Sequence, residues 1–338
     1  MKELVLHVGA TKTGSSAIQH FLLQNRAALE PLGVLYPDVG IAGNAHHIIA
    51  AAIHPSAWRM HQDAFAGKDR PAYFLQLVEQ FKQAADESSA ARAVMSSEYL
   101  WGQFHDAFYT PLQALAAAFE VRLLCYVRRQ DDWLESTYAQ SVKSGEGRSF
   151  REWLLRHLDQ GPGFCHYDRI LRQWERVVPT ERIHVRVYDA SNGVTDSVAD
   201  LLDFLGIADR GTLALAAGSS NPSPLPHDTE MIRLINRSGL SEARKQNLRR
   251  VLLMGSAKKP PHAAFHYLSA DETIQLLRRY EAGNAAVAKR YMGRADGQLF
   301  GRALPAPGEW PAWQGPSADE CMARMLDLIS HLLPEGGG

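Results

Sequence analysis

The sequence predicts an α/β fold: a mostly parallel central sheet flanked by helices, followed by a C-terminal helical annex. Short apolar runs alternate with segments of helical periodicity through the first 190 residues, which is the pattern of a parallel sheet built from strand-helix-strand units. Two of those runs lead directly into polar loops that open helices, at residues 4–24 and 121–142. Beyond about residue 205 the strand signals stop and helical segments take over.

Leu4–Val8 is the first apolar run, Gly9–Ser16 is small and polar with one lysine, and Ala17, Ile18, Phe21 and Leu22 repeat at helical spacing. Gly33–Tyr36 reads as a short strand stopped by Pro37, and the Gly40–Gly43 loop leads through Asn44-Ala45-His46-His47 into a helical stretch at Ile48–Ile53. Periodicity through Phe74, Leu77, Val78 and Phe81 predicts a helix over 71–86, and Ala91–Met95 reads as a buried strand ending in Ser96-Ser97-Glu98-Tyr99. A helix near 107–119 precedes the clearest strand, Val121–Val127, which runs into Arg128-Arg129-Gln130-Asp131-Asp132 and a further helix. Residues 148–178 read as two helical pieces broken at Gly161-Pro162-Gly163, and Arg182–Tyr188 as the fifth strand.

The Gly/Ser/Pro stretch Ala217–Pro226 is a loop, with helices expected near 227–237 and 241–254. Ser269-Ala270-Asp271-Glu272 is a capping box that predicts one long helix to about Met292, and Ser317–Glu320 could start another. The chain is therefore expected to comprise an α/β core over 1–204 and a helical annex over 205–338 packed on it as one structural unit.

A chain of 338 residues, 46% hydrophobic, can bury a large core. Lys and Arg number 36 against 37 Asp and Glu, so no whole-molecule field points to nucleic acid or an anionic membrane, and any anion site must be local. Cys125, Cys165 and Cys321 are odd in number and far apart, which suggests neither a disulfide framework nor a zinc cluster and fits a reducing cytoplasm. The N-terminal apolar run is broken by His7 and Lys12, unlike a signal peptide, and no stretch reaches the roughly eighteen apolar residues of a membrane span. A soluble, cytoplasmic protein is expected.

The 9–16 loop carries the first functional signal. Small residues opening a helix present unpaired backbone N–H groups at the positive end of its dipole, which suits a tetrahedral oxyanion. Lys12 adds a charge, and Thr11, Thr13, Ser15 and Ser16 add hydroxyls. Gly9 and Gly14 have the spacing of a nucleoside-triphosphatase loop, but Ser15 stands where that pattern has lysine, and no strand-end aspartate suggests a magnesium site.

Lys12-Thr13-Gly14-Ser15-Ser16 after such a strand resembles the 5′-phosphosulfate loop of sulfotransferases that use 3′-phosphoadenosine 5′-phosphosulfate (PAPS). Tyr126-Val127-Arg128 followed by Asp132, Ser136 and Tyr138 resembles the same family's 3′-phosphate segment, in which an arginine and a serine eight residues apart hold the phosphate. The two matches cover about a tenth of the chain, in the family's order and strand-loop-helix contexts. The resemblance implies a P-loop-like sulfotransferase fold of the bacterial or carbohydrate-acting type. PAPS is then the co-substrate and 3′-phosphoadenosine 5′-phosphate the product, with Thr11, Lys12, Thr13, Gly14, Ser15, Ser16, Arg128 and Ser136 on the cofactor. Tyr188-Asp189 is similar to a Tyr-Glu pair that contacts adenine in the family. The family's late Arg-Lys-Gly-type loop on the 3′-phosphate is not found here; Asn221-Pro222-Ser223 either takes its place on the cofactor or caps the helix after Pro226.

Sulfuryl transfer needs charge stabilisation on the leaving phosphate, from Lys12 and the loop N–H groups, and a base for the acceptor; it does not demand a metal. His46, Glu98 and His47 compete for the base, in that order. His46 and His47 stand where carbohydrate-acting members carry a carboxylate, and Glu98 where the small-molecule members carry a histidine. Arg129 reads as a surface arginine paired with Asp131 or Asp132. Gln140 and Lys143 could face the acceptor, and Trp101 and Trp133 could stack on it or belong to the core. The expected function is sulfuryl transfer to a hydroxyl or amine of a carbohydrate, lipid-linked or small-molecule acceptor. An ATP- and Mg²⁺-dependent phosphoryl transferase or a nucleotide-binding module without chemistry is the alternative.

Overall fold

The computed structural model describes residues 1–102, 109–159, 163–189, 193–214, 226–257 and 266–332. The chain divides into two compact units interleaved along the sequence: Met1–Arg129 with Gly163–Ser219 and Tyr280–Ala303, and Gln130–Pro162 with Ser220–Arg279 and Leu304–Gly338.

The first unit is α/β. In chain order it contains β1 (Glu3–His7), α1 (Ser15–Gln24), α2 (Arg26–Leu29), β2 (Val34–Leu35), α3 (His47–Ile53), α4 (Gln62–Phe65), α5 (Arg70–Glu87), β3 (Arg92–Ser96), α6 (Tyr109–Ala118) and β4 (Glu120–Val127). After the excursion into the second unit come α9 (Tyr167–Trp174), β5 (Ile183–Val187), α10 (Ser197–Phe204) and α14 (Glu281–Met292). The sheet has the order β2-β3-β1-β4-β5, and every strand pair is parallel. Strands buried on both faces read as continuous apolar runs, which is why β1, β3 and β4 stand out in the sequence.

β1 is central. His7 is level with Ser96 of β3 on one side and with Leu124 of β4 on the other. The chain leaves β1 toward β2 and leaves β4 toward β5, so the loops beyond the carboxyl ends of these neighbouring strands diverge and open a crevice. Under that end Val5, Val94, Leu124 and Tyr126 from the sheet pack with Ile18, Phe21 and Leu22 of α1 and Leu201 and Leu202 of α10. Each such side chain contributes about 1.5–3 kcal/mol by burial, and together they fix α1 and therefore the loop that precedes it. Asp196 caps α10 by accepting from Val198 and Ala199 N–H, and Asp200 accepts from the Tyr126 hydroxyl at 2.7 Å.

The second unit is helical: α7 (Gln130–Lys143), α8 (Phe150–Asp159), α11 (Pro226–Arg237), α12 (Glu242–Ala257), α13 (Ala270–Arg278) and α15 (Ala318–Leu332). The Tyr138 hydroxyl shares its proton between Arg148 O at 3.0 Å and Glu230 Oε1 at 3.3 Å, and Asn236 Nδ2 donates to Val142 O and Glu146 O, both at 2.8 Å, so buried polar groups are paired across its helices. The Ser269/Glu272 capping box forms as expected. The helix it opens does not run unbroken to Met292, however: α13 ends at Arg278 and α14 begins at Glu281. α14 packs against α9, where a β-carbon on Gly283 would sit 2.7 Å from Asp168 Oδ1. Among the described residues no helix is long and apolar enough to cross a membrane.

Candidate functional site

The loop after β1 is anchored at its start and strained at its centre. Val8 and Ala10 N–H donate to Leu124 O and Tyr126 O, which extends the β1–β4 ladder past His7, and Thr13 Oγ1 turns back onto Ala10 O at 2.6 Å. Lys12 then adopts φ 67°, the one left-handed non-glycine residue among those described, and Gly14 follows at φ 85°. A left-handed residue with a β-carbon costs about 1–3 kcal/mol and persists where the surroundings impose it, often at a binding site. No backbone carbonyl among the described residues accepts from the N–H groups of residues 12–16. Successive N–H groups in such a turn, ahead of a helix, form an anion-binding concavity. Of the loop hydroxyls, Thr13 and Ser15 are buried, whereas Thr11 and Ser16 are exposed.

Neighbouring elements close around this loop. A β-carbon on Gly14 would meet Ser197 Oγ at 2.4 Å and the Tyr188 ring at 3.1 Å, and Ser197 Oγ donates to Gly14 O at 3.2 Å. Tyr188, placed by its N–H to Val127 O beyond β5, is therefore packed beside the helix-opening glycine. Arg128 Nη1 donates to Lys12 O at 3.4 Å, while Arg128 O accepts from the Tyr167 hydroxyl at 2.5 Å. The ends of β1, β4 and β5 thus bring Lys12, Gly14, Arg128 and Tyr188 together. Ser136 lies on α7 of the second unit, half-buried, with exposed Gln140 and half-buried Lys143 on the same helix. Asn221 lies outside the described residues.

Glu98 approaches from β3. The level ends of β1 and β3, joined by Ser97 N–H to His7 O at 3.1 Å, put it beside the loop, and Gln19 of α1 donates to its Oε2 at 3.1 Å. Burial raises the Glu98 carboxyl above the ordinary glutamate range, against the lowering effect of the Gln19 bond and of Lys12. Burial and the Arg128 charge lower the Lys12 ammonium, against the attraction of Glu98. The result is a lysine and a carboxylate that interact in a partly dehydrated setting, where their fields act strongly on a bound ligand.

The two histidines separate. His46, expected to be the foremost base, is fully buried. Its Nε2 faces Pro37 O at 3.1 Å, and because a carbonyl can only accept, Nε2 carries the proton; Nδ1 then accepts from Ser96 N–H at 3.2 Å. Both nitrogens are committed to backbone, the ring packs edge-on to Tyr36 and Phe81, and burial pulls its pKa down to about 3. His46 is a structural post holding the loop after β2 to the end of β3, which corrects the expectation. His47 is half-buried, stacks on Tyr99 at 4.3 Å and pairs Nδ1 with Ser97 Oγ at 2.8 Å. Burial and His61 lower it to about 4, so it is neutral at working pH.

Arg129 is likewise corrected: it is not a surface residue but 5% exposed, and its guanidinium holds the carbonyls of Arg302 and Ala303. Trp101 belongs to the core and donates to Phe164 O, and Trp133 is buried in the second unit. Sequence reasoning missed Gln19, Ser197 and His7. Gln19 could have been found as a polar residue on the apolar face of α1, one turn after Ser15, and His7 as an imidazole inside an apolar strand.

No family model matches the sequence. An uncharacterized protein of Archaeoglobus fulgidus is 30% identical over 179 residues, which are 51% of this chain and 46% of that one. The chain therefore spans about half the length of the curated relative it matches.

Proposed function

We propose that this chain is a sulfotransferase that moves the sulfuryl group of PAPS to a hydroxyl or amine of a carbohydrate, lipid-linked or small-molecule acceptor. The observation that carries the reading is the left-handed Lys12 within a run of N–H groups that no backbone carbonyl among the described residues takes up, with the Lys12 charge acting on Glu98. Those N–H groups and Lys12 receive the 5′-phosphate, with Arg128 and Tyr188 beside them.

Glu98 serves as the base in this mechanism, since His46 has no free nitrogen. The acceptor oxygen forms a bond to sulfur as its proton passes to the Glu98 carboxylate. The bond from sulfur to the bridging oxygen breaks, and its electron pair stays on the 5′-phosphate, where the loop N–H groups and Lys12 stabilise the charge. Burial that raises the Glu98 pKa brings it closer to working pH and makes it a better base than an exposed glutamate.

Isothermal calorimetry with 3′-phosphoadenosine 5′-phosphate and with ATP, each with and without Mg²⁺, tests the proposal. Binding of the bisphosphate without Mg²⁺, weakened about ten- to a hundredfold in Arg128→Ala by loss of a charge-assisted hydrogen bond, supports it. A Mg²⁺-dependent preference for ATP would replace it with phosphoryl transfer.

A further inference from the structure

Two buried polar atoms beneath the loop have no hydrogen-bond partner among the described residues: His7 Nε2 and Ser15 Oγ. Both residues are all but inaccessible, His7 at 0% and Ser15 at 3%. A β-carbon built on Gly9 would lie 2.4 Å from Ser15 Oγ and 3.4 Å from His7 Nε2, so the two unpaired atoms face one side of the Gly9 α-carbon. They come from different elements, the end of β1 and the first residue of α1, and converge only because the loop doubles back between them.

We infer that His7 and Ser15 form an uncharged floor to the anion loop and donate to an oxygen of the bound anion, making His7 a ligand-positioning residue. The inference rests on the proposed anion-binding role of the loop. The His7 ring is oriented for it: Nδ1 pairs with Ser96 Oγ at 2.8 Å, and the ring stands edge-on to Tyr126 at 5.6 Å. When the serine hydroxyl donates to Nδ1, the proton must sit on Nε2, which then carries a neutral N–H toward the Gly9 side of the loop. Burial, which lowers the His7 pKa to about 4, keeps the ring neutral, so the donor adds no charge to a loop that already holds Lys12 close to Arg128. Leaving such atoms unpaired in the free protein is costly, and a ligand oxygen that satisfies both offsets that cost. Gly9 leaves room for the pair, since a β-carbon there would displace the Ser15 hydroxyl.

The test follows the ring nitrogens of His7 by ¹⁵N NMR on the full chain as 3′-phosphoadenosine 5′-phosphate is added. A protonated Nε2 whose signal shifts on binding, with its proton becoming protected from exchange, is the expected result. An Nε2 signal that stays unchanged while the bisphosphate demonstrably binds would mean that the pair serves only the fold, and would overturn the inference. Failure of the wild-type protein to bind would instead overturn the anion-loop reading itself. In parallel, His7→Phe and Ser15→Ala should each weaken the bisphosphate by about tenfold or more. His7→Gln, which can restore a donor near the Nε2 position, should recover part of the loss. Folded His7→Phe protein that binds as tightly as wild type would also sink the proposal.

Discussion

Replacing Lys12 by glycine should separate what the loop does from what it costs. The lysine backbone sits at φ 67°, a region that disfavours a residue with a β-carbon by about 1–2 kcal/mol and is nearly free for glycine. Glycine gives back about 0.5–1 kcal/mol through the extra freedom of the unfolded chain, so the net gain is about 0.5–1 kcal/mol. Lys12→Ala loses the same charge but keeps the β-carbon, and the difference between the two variants isolates the backbone term from the opposing effects of Arg128 and Glu98 on the ammonium. With an unfolding entropy of about 2.1 cal/mol/K per residue over 338 residues, Lys12→Gly should melt about 1 °C above Lys12→Ala, a gap that replicate calorimetric scans without ligand resolve. Urea titration should show the same order. Both variants should bind 3′-phosphoadenosine 5′-phosphate about ten- to a hundredfold more weakly than wild type, through loss of one charge-assisted contact. A Lys12→Gly protein no more stable than Lys12→Ala would show that the left-handed backbone carries no strain. Full affinity in either variant would remove the lysine from the anion site.

Three further outcomes test the assignments around the loop. His46→Ala should lower unfolding free energy by about 2–4 kcal/mol in urea titrations, since it opens a cavity and unpairs Pro37 O and Ser96 N–H, while folded protein retains bisphosphate affinity; loss of turnover at unchanged stability would restore it as the base. Glu98→Gln should lower kcat by about 10²–10⁴ with bisphosphate binding intact. In the wild type the acid limb of activity should lie above the ordinary glutamate range, because the base works only when ionised and its pKa is raised. The same shift makes the folded state bind more protons than the unfolded one. The contribution of Glu98 to stability therefore falls as pH rises from the unfolded value to the raised folded value, and Glu98→Gln should flatten that fall. Gly14→Ala should disrupt the helix start, since its β-carbon would meet Ser197 Oγ at 2.4 Å at a φ of 85°; binding as tight as wild type by calorimetry would contradict the close packing of α10 on the loop.

The sheet was legible because β1, β3 and β4 are buried on both faces and leave uninterrupted apolar runs, and because the helices between them keep a helical period. The loop was legible as a composition, small and hydroxyl-rich with one lysine, but its left-handed turn at Lys12 was not, since no residue type at that position demands it. Glu98 could be picked out as a carboxylate just past a strand. His46 misled for a physical reason: a histidine pair in a glycine-rich loop looks reactive, and what makes it inert is contact with Pro37 and Ser96, nine and fifty positions away in the chain. Arg129 misled in the same way, through carbonyls more than 170 residues distant. Local pattern reads where an element begins; it cannot read which long-range partner satisfies a polar group.

The same limit explains why several groups around the loop share one energetic character. Lys12 is held in an unfavourable backbone region with its ammonium partly dehydrated near Arg128, Glu98 is raised by burial, and His7 and Ser15 carry unpaired polar atoms in the interior. Each costs stability in the free protein, and all lie at or beyond the carboxyl ends of β1 and β3. His46, in the loop after β2 and bonded to the end of β3, has both ring nitrogens paired and no such cost. A bound oxyanion would engage Lys12 and the neighbouring N–H groups and give His7 and Ser15 their missing acceptor. Its negative charge would also raise Glu98 further, so the base would ionise at a higher pH with the donor bound than without it. In the proposed reaction, a donor that both relieved the loop and retuned Glu98 would couple binding to proton transfer between two neighbouring strand ends.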